Sequence, residues 1–189
     1  MPFSPPSQGG RVAGRNEWEA ADNFVAYLHE TLACITPEKL AFYQQSKKLY
    51  KVWFNPAAEL TTRSGGRLFL SFTQVLGAGP DPKEPGEFKV STREYSYRLL
   101  ERSNIASKEI LAYHWHPNDS DLRDPHLHIR CVPRVHFPTS RVCVEDVVCM
   151  LIKYYGVRPR MRHSEWTAII EKNKRAFEKM ATWKIRHPL

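Results

Sequence analysis

Two nearby segments, residues 110–116 and 126–131, place an apolar side chain at every second position. Successive side chains of a β-strand point to opposite faces of its sheet, so the alternation predicts two strands that each have one apolar face. The apolar positions are Leu111, Tyr113, Trp115, Leu127, Ile129 and Cys131. The opposite positions carry two His-x-His pairs, formed by His114, His116, His126 and His128. If the strands pair antiparallel through the loop 117–124, these four imidazoles meet on one surface.

The residues before these segments predict further strands of the same sheet. Residues 67–76 follow a Ser-Gly-Gly turn and are rich in aromatic, β-branched and aliphatic side chains. Residues 77–86 contain three prolines and three glycines and are predicted to be a loop. Residues 87–101 form the next predicted strand. Consecutive strands with short connections usually pair as neighbours, which predicts an antiparallel meander of about four strands over residues 67–132.

The first part of the chain has the periodicity of a helix. Residues 17–34 place apolar side chains at spacings of three or four, as expected for a helix with one buried stripe. Thr36-Pro37-Glu38 has the composition of a second helix start, with an N-cap residue, a proline at the first helical position and an early acid. A helical region is therefore predicted over residues 17–50.

Two more helices are predicted near the carboxyl end. Glu145-Asp146 places negative charge in the first turn of a helix over residues 144–155, and Gly156 is its expected C-cap. Ser164 is the predicted N-cap of the last helix, over residues 164–183. The segment between the sheet and these helices, residues 131–139, contains Pro133 and Pro138 and is predicted to be irregular or an edge strand.

These elements together predict the α+β class, with an antiparallel meander sheet and helices packed on one of its faces. The 189 residues suffice for one well-formed core and would be cramped for two. We therefore predict a single domain over residues 16–189. The preceding residues 1–15 are rich in proline, serine and glycine and are predicted to be a disordered arm.

Targeting signals and cysteine usage indicate the compartment. No apolar run approaches the roughly 20 residues of a membrane-spanning helix, and the first ten residues lack the apolar core of a secretory signal. The four cysteines show no Cys-x-x-Cys spacing. We expect a cytoplasmic protein with reduced thiols and no membrane partner.

The net charge of +8 is concentrated near the carboxyl end. Residues 153–189 hold ten Lys and Arg against three Glu, whereas the preceding residues hold 18 basic and 17 acidic side chains. Such a basic segment attracts polyanions through salt-sensitive phosphate contacts. It can equally be a solvated helix face that keeps the protein in solution. The candidate nucleic-acid-binding residues are Arg130, Lys172, Lys174, Arg175 and Lys179.

The four paired histidines have three chemical interpretations. As neutral ligands they suit a divalent transition metal such as zinc, nickel or manganese, with Asp119, Asp121 or Asp124 completing the coordination. Alternatively, they act as metal-free acid and base while Arg98 or Arg130 holds a phosphate, a combination suited to RNA cleavage through its 2′-hydroxyl. The third interpretation is that they are polar residues of a half-exposed sheet.

The candidate residues follow from these interpretations. The metal-ligand candidates are His114, His116, His126 and His128, and the catalytic candidates are the same histidines with Arg98. His136 is a fifth imidazole close by in the sequence.

The order of motifs in the second half of the chain resembles a known family. The motifs are Tyr95-Ser96-Tyr97-Arg98-Leu99, Pro125-His126-Leu127-His128-Ile129, Phe137-Pro138-Thr139-Ser140-Arg141 and Val144-Glu145-Asp146-Val147-Val148. Over residues 94–157 this pattern resembles the TumE-type toxins of prokaryotic toxin–antitoxin pairs. The resemblance implies a setting of conflict or growth control, with an antitoxin protein as partner. The chain departs from the family in its long amino-terminal part and in Cys143, where a helix-capping serine is usual.

Two classes of function remain open from the sequence. The first is a toxin–antitoxin-type or RNA-directed effector, with ribonuclease or metal-dependent hydrolase as candidate activities at the paired His-x-His strands. The alternative is a non-enzymatic binding module whose basic carboxyl-terminal helix holds an acidic protein or nucleic acid. The substrate, the reaction and the oligomeric state are left open.

Overall fold

The computed structural model describes residues 12–104, 107–118, 122–132 and 135–180. Within these ranges the chain forms three helices and nine strands. The helices are α1 (Glu17–Leu32), α2 (Val144–Tyr154) and α3 (His163–Met180). The strands are β1 (Ala13–Gly14), β2 (Ala41–Ser46), β3 (Leu49–Trp53), β4 (Ala58–Thr61), β5 (Arg67–Pro80), β6 (Phe88–Leu100), β7 (Glu109–Trp115), β8 (His126–Ile129) and β9 (Phe137–Pro138).

The described strands form one antiparallel sheet around a long central hairpin. Strands β5 and β6 pair from Phe69 opposite Leu100 to Pro80 opposite Phe88. The main strand order is β2-β3-β5-β6-β7-β8-β9, while β1 pairs with β6 and β4 pairs with β5. The α+β class and the single domain are confirmed, but the sheet has about nine strands and not four. The meander predicted from β5 to β8 is its centre, and short strands extend it on both sides.

The helical region predicted over residues 17–50 is wrong in its second half. Helix α1 is followed by the hairpin of β2 and β3. The Thr36 hydroxyl accepts a hydrogen bond from the Glu38 amide in a short turn, and no helix begins there. The aromatic and β-branched side chains of β3 favour a strand, and its Tyr50 and Val52 are fully buried beside β5. Pairing with β5 therefore overrides the local signal for a helix start.

Two predicted irregular regions are partly ordered as strands. The loop predicted over residues 77–86 begins later, because β5 continues to Pro80 and pairs with β6 along its whole length. Of the arm predicted over residues 1–15, residues 1–11 lie outside the described residues. Val12 is 5% exposed and β1 pairs with the start of β6, so the end of the predicted arm belongs to the domain. Apolar burial and ladder hydrogen bonds hold it there.

The carboxyl-terminal helices lie close to their predicted positions. Helix α2 covers Val144–Tyr154, and Gly156 takes a left-handed φ of 66° just after it, which suits a glycine. Helix α3 begins one residue before the predicted N-cap Ser164, and the Glu165 carboxylate accepts a hydrogen bond from the Arg162 amide. Residues 181–183 of the predicted last helix lie outside the described residues. The predicted edge in residues 131–139 is β9.

The core lies between one face of the sheet and the three described helices. Alternate side chains of the central strands point into it, as the sequence pattern predicts. Its members include Leu70, Phe72, Leu76, Tyr95, Tyr97, Leu99, Leu111 and Trp115 of the sheet and Leu28, Val148, Leu151, Trp166 and Ile170 of the helices. The paired histidines belong to the opposite face. None of the described helices has an apolar stretch long enough to cross a membrane.

A short polar chain runs through the helical side of the core. The Asn173 side chain donates a hydrogen bond to the Thr31 hydroxyl at 3.0 Å, and that hydroxyl donates to Glu145 Oε1, also at 3.0 Å. All three side chains are buried. Burial is the main cause that raises the pKa of Glu145 above its ordinary value, because an apolar interior disfavours the carboxylate.

Replacing Glu145 by glutamine is expected to change the pH dependence of stability. Above the unfolded-state pKa of about 4.3 and up to the raised folded-state pKa, the folded protein binds more protons than the unfolded chain. Its free energy of unfolding therefore falls as pH rises through this window. Glu145→Gln removes that titration, so its melting temperature relative to wild type should increase as pH rises through this window. Thermal melts across this range test it, and a constant difference would contradict it.

Candidate metal centre

The register of β7 and β8 brings the four paired histidines onto one surface. His114 stands directly opposite His126, and His128 stands opposite Ala112. The His114 ring centroid lies 5.8 Å from that of His126 and 4.9 Å from that of His128. The rings of His126 and His128 are 5.1 Å apart. The surface predicted from the alternation of side chains is therefore formed, while the roles of its histidines stay predictions.

His136 joins this group from the edge of the sheet. Strand β9 pairs with β8, with Leu127 opposite Phe137, which places the preceding His136 beside β8. The His136 ring centroid lies 4.4 Å from that of His128 and 5.1 Å from that of His126. The sequence places His136 near the other histidines. Its position in the fold, however, depends on how the two-residue strand β9 pairs, and the alternation of side chains does not predict that pairing.

Two overlapping sets of side chains in the described part of the chain could hold a metal ion. One is His126, His128 and His136, and the other is Glu109, His114 and His128. Within each set the ligand atoms all lie within 4.8 Å of one another. The sequence pattern missed Glu109, because a register shift between β6 and β7 places Leu99 opposite Leu111 but Leu100 opposite Glu109. Such a bulge inverts the alternation, so Glu109 shares the face of the histidines.

One member of the first set, His126, has the hydrogen bonding of a metal-ligating histidine. The Asp124 carbonyl oxygen lies 2.9 Å from His126 Nδ1, so a neutral ring donates from Nδ1 and keeps the lone pair of Nε2 for a ligand. His128 Nε2 is buried and has no hydrogen-bond partner among the described residues. Buried polar atoms nearly always have a partner, so this nitrogen has a lone pair that a metal could use.

The electrostatics keep the central rings neutral. Burial, followed by the charges of the neighbouring His128, His116 and His126, lowers the pKa of His114 to about 3. Burial, followed by the charges of His136 and His126, also lowers the pKa of His128. Neutral imidazole is the form that binds a metal. At neutral pH both rings are therefore available as ligands without releasing a proton.

The two sets differ in whether other side chains compete with a metal for their ligand atoms. Glu109 Oε1 accepts a hydrogen bond from Arg98 Nε and forms an ion pair with it, so a metal at the second set must compete with a guanidinium. No ion pair is recorded among the described residues for His126, His128 or His136. The first set is therefore the better metal site.

The spacing of the first set suits a small closing motion. Tetrahedral zinc with bonds of about 2.0–2.1 Å places its nitrogen ligands about 3.3 Å apart. The ligand atoms of the set lie within 4.8 Å of one another, so the imidazole rings would need to move closer by no more than about 1.5 Å to bind such an ion. Because three neutral nitrogens form the set, the site suits zinc or nickel better than oxygen-preferring cations.

The other predicted site residues lie around this centre. His116 is 38% exposed, belongs to neither set, and has its Nδ1 2.9 Å from Glu94 Oε1. Arg130 forms an ion pair with Glu101. Asp124 contributes its carbonyl oxygen to His126, whereas Asp119 and Asp121 lie outside the described residues. Arg98 and Arg130, which were predicted to hold a phosphate, thus lie near the histidines, but each already pairs with a carboxylate.

The basic helix α3 carries ion pairs of its own. Lys172 Nζ lies 2.5 Å from Glu30, Lys174 Nζ lies 2.7 Å from Asp146, and Arg175 lies 3.6 Å from Glu171. Lys179 is exposed in the last turn. These pairs offset part of the positive charge that the sequence concentrates here. Nucleic-acid binding by α3 stays a prediction.

No protein-family model, curated protein or solved structure shows significant similarity to the chain. The resemblance to TumE-type toxins over residues 94–157 therefore stays an expectation. The functional argument rests on the chemistry of the histidine surface.

Proposed function

We propose that this protein binds a divalent transition metal through His126, His128 and His136 and uses it to hydrolyse phosphate esters, with RNA as the first substrate class to test. The buried and unpartnered Nε2 of His128 carries the proposal. It lies in a set of three imidazoles whose ligand atoms are all within 4.8 Å of one another. Zinc is the first candidate ion, with nickel and manganese as alternatives.

The electrostatics favour metal chemistry over metal-free acid and base catalysis. A general base works best when its pKa lies near the operating pH, and the pKa of His114 is lowered to about 3. His114 is therefore a weak base but a suitable neutral neighbour of a cation. A metal held by His126, His128 and His136 would supply a Lewis acid for the hydrolysis of a phosphate ester.

Several side chains around the set suit a phosphate ester. Three imidazole ligands would leave the charge of a divalent ion uncompensated, which favours an anionic substrate. Arg98 and Arg130 lie on the same side of the sheet, where Glu109 and Glu101 offset their charge. His116, paired with Glu94, has the carboxylate partner typical of a histidine that accepts a proton. The same arrangement supports the proposal of an RNA-directed effector.

Zinc titration of the purified metal-free protein tests the binding step. Wild-type protein should bind one equivalent by elemental analysis and calorimetry, because one complete histidine set is available. His128→Ala should bind at least tenfold more weakly, since loss of a ligand costs more than the 10–100-fold typical of groups that only support ligands. His116→Ala is the matched control and should bind like wild type. A wild-type protein that binds no zinc, nickel or manganese removes the proposal.

The hydrolytic step needs a separate test. Zinc-loaded protein should cleave RNA oligonucleotides or an activated phosphodiester, and His126→Ala with His128→Ala should abolish the cleavage. Induced expression in bacteria tests growth inhibition, which the family resemblance leads us to expect, with the same double variant as control. Metal binding without cleavage of either substrate would restrict the protein to a binding role. Cleavage that survives in the folded double variant would contradict the site.

A further inference from the structure

The face of the sheet that carries the histidines continues to the hairpin of β2 and β3. Residues paired across neighbouring strands share a face, so the pairing places Trp53, Thr73, Ser96 and His114 in one row. Neighbouring strands lie about 4.8 Å apart, so three steps separate the backbones of Trp53 and His114 by about 14 Å. The side chains of this row are only partly buried, and the described helices pack against the other face. One open surface therefore joins the hairpin to the histidines.

Two aromatic side chains and a lysine lie together at the hairpin end of this surface. Tyr43 pairs with Lys51, which is two positions before Trp53 and therefore on the same face. The Tyr43 and Trp53 rings meet edge-on with centroids 5.4 Å apart, and Lys51 Nζ lies 5.9 Å from the Trp53 centroid. Tyr43 is 43% exposed, and Trp53 is partly buried. Aromatic rings on an open sheet are surfaces on which unpaired bases stack.

The hairpin is positively charged and contains no acidic residue. Residues 41–53 include Lys47, Lys48 and Lys51 but neither Asp nor Glu. In the described part of the chain none of these lysines forms an ion pair, whereas three cations of α3 do. Glu94 lies on the same face, but it pairs with His116. Cations without acidic partners beside exposed rings complement the phosphates and bases of a nucleic acid.

The part of the face between the hairpin and the histidines carries hydroxyl groups. Thr73 and Ser96 stand directly opposite each other, and Ser71 lies on the same face opposite Arg98. A hydroxyl both donates and accepts hydrogen bonds, so these side chains suit the 2′-hydroxyl that distinguishes RNA from DNA. An acidic peptide could pair with the lysines but would make no use of the rings. Single-stranded RNA complements the rings, the lysines and the hydroxyls together.

We propose that the hairpin of β2 and β3 binds single-stranded RNA, with bases stacked on Tyr43 and Trp53 and phosphates at the three lysines of the hairpin. From there the RNA follows the row of hydroxyls towards the histidines. The choice of RNA rests on these hydroxyls and on the proposed function, whereas the surface itself consists of residues outside both candidate metal sets. Binding to it needs no metal. The two proposals can therefore fail independently.

Fluorescence anisotropy of a short labelled RNA, measured with a chelator present, tests binding without cleavage. The metal-free wild type should bind the single strand more tightly than its duplex, because only unpaired bases can stack, and more tightly than DNA of the same sequence. Tyr43→Ala should weaken binding about fivefold or more, as the loss of one stacked base predicts. Lys51→Gln should lower the slope of log affinity against log salt by about 0.7. Tyr154→Ala is the matched control, because Tyr154 is 81% exposed on α2, and it should bind like wild type.

Three outcomes would overturn the proposal. The first is a wild-type protein that does not bind the RNA strand, or that binds the duplex or the DNA strand equally tightly. The second is unchanged RNA binding in both Tyr43→Ala and Lys51→Gln. Loss of binding on charge reversal of the α3 cations would then place the RNA on that helix, at Lys172, Lys174, Arg175 and Lys179. The third is equally tight binding of a polyglutamate peptide, which would identify a surface for acidic proteins.

Discussion

Replacing His126 and His128 together by alanine is expected to abolish the thermal stabilisation that zinc gives the wild-type protein. A ligand at about 100 times its Kd stabilises the folded state by about 2.7 kcal/mol. For a chain of 150–250 residues this corresponds to a rise in melting temperature of about 5–11 °C. The double variant lacks two of the three histidines of the proposed ligand set. Melts with zinc and with a chelator measure the difference.

His116→Ala is the control for this experiment, since His116 is on the same face but outside both candidate ligand sets. It should keep the full stabilisation by zinc. A double variant that zinc stabilises as strongly as it stabilises the wild type would show that the ion binds elsewhere. Both proteins must also melt cooperatively in the presence of the chelator, which shows that the double variant is folded. This control is needed because His126 is 6% exposed and its loss removes some packing.

Replacing Phe72 by alanine is expected to have the largest effect on stability. Phe72 is 2% exposed at the centre of the sheet, and its ring stacks on Tyr97 with centroids 5.1 Å apart. Truncation of a buried phenylalanine costs about 3–5 kcal/mol because apolar burial is lost and a cavity remains. Denaturant unfolding should show a drop of this size in the free energy of unfolding.

The neighbouring Ser71 offers the matched control for Phe72. It lies on the same strand but on the opposite face, across from Arg98. Ser71→Ala should change the free energy of unfolding by less than about 0.5 kcal/mol, as is usual for positions outside the core. A loss in Ser71→Ala as large as in Phe72→Ala would contradict the assignment of the two faces.

Apolar residues at every second position made the central strands and their histidine face predictable from the sequence. It depends only on the geometry of a strand, so β7 and β8 were found with their correct faces. Glu109 was missed because a bulge inverts the alternation just before the first histidine pair. His136 could be named but not placed, since a two-residue strand has no period of its own.

The hairpin of β2 and β3 shows why the amino-terminal part was harder to predict. Thr36 and the following proline match the chemistry of a helix start, a signal that spans only a few residues. The competing signal is pairing with β5, whose residues 73–77 lie more than 20 positions further along the chain. A local pattern contains no information about such a distant partner, and here the distant partner determines the structure.

If the proposed histidine set binds a metal, the pairing of β8 with β9 has a consequence for the behaviour of the protein when metal is scarce. Strand β9 has two residues, so few backbone hydrogen bonds hold it, and if it opens, β8 becomes a free sheet edge. Free edges are templates for pairing with other chains. A metal bound by both His128 and His136, which are eight positions apart in the sequence, would close a short loop and hold this edge in place. Metal supply would then control self-association of the protein, and chelation would favour aggregation through β8.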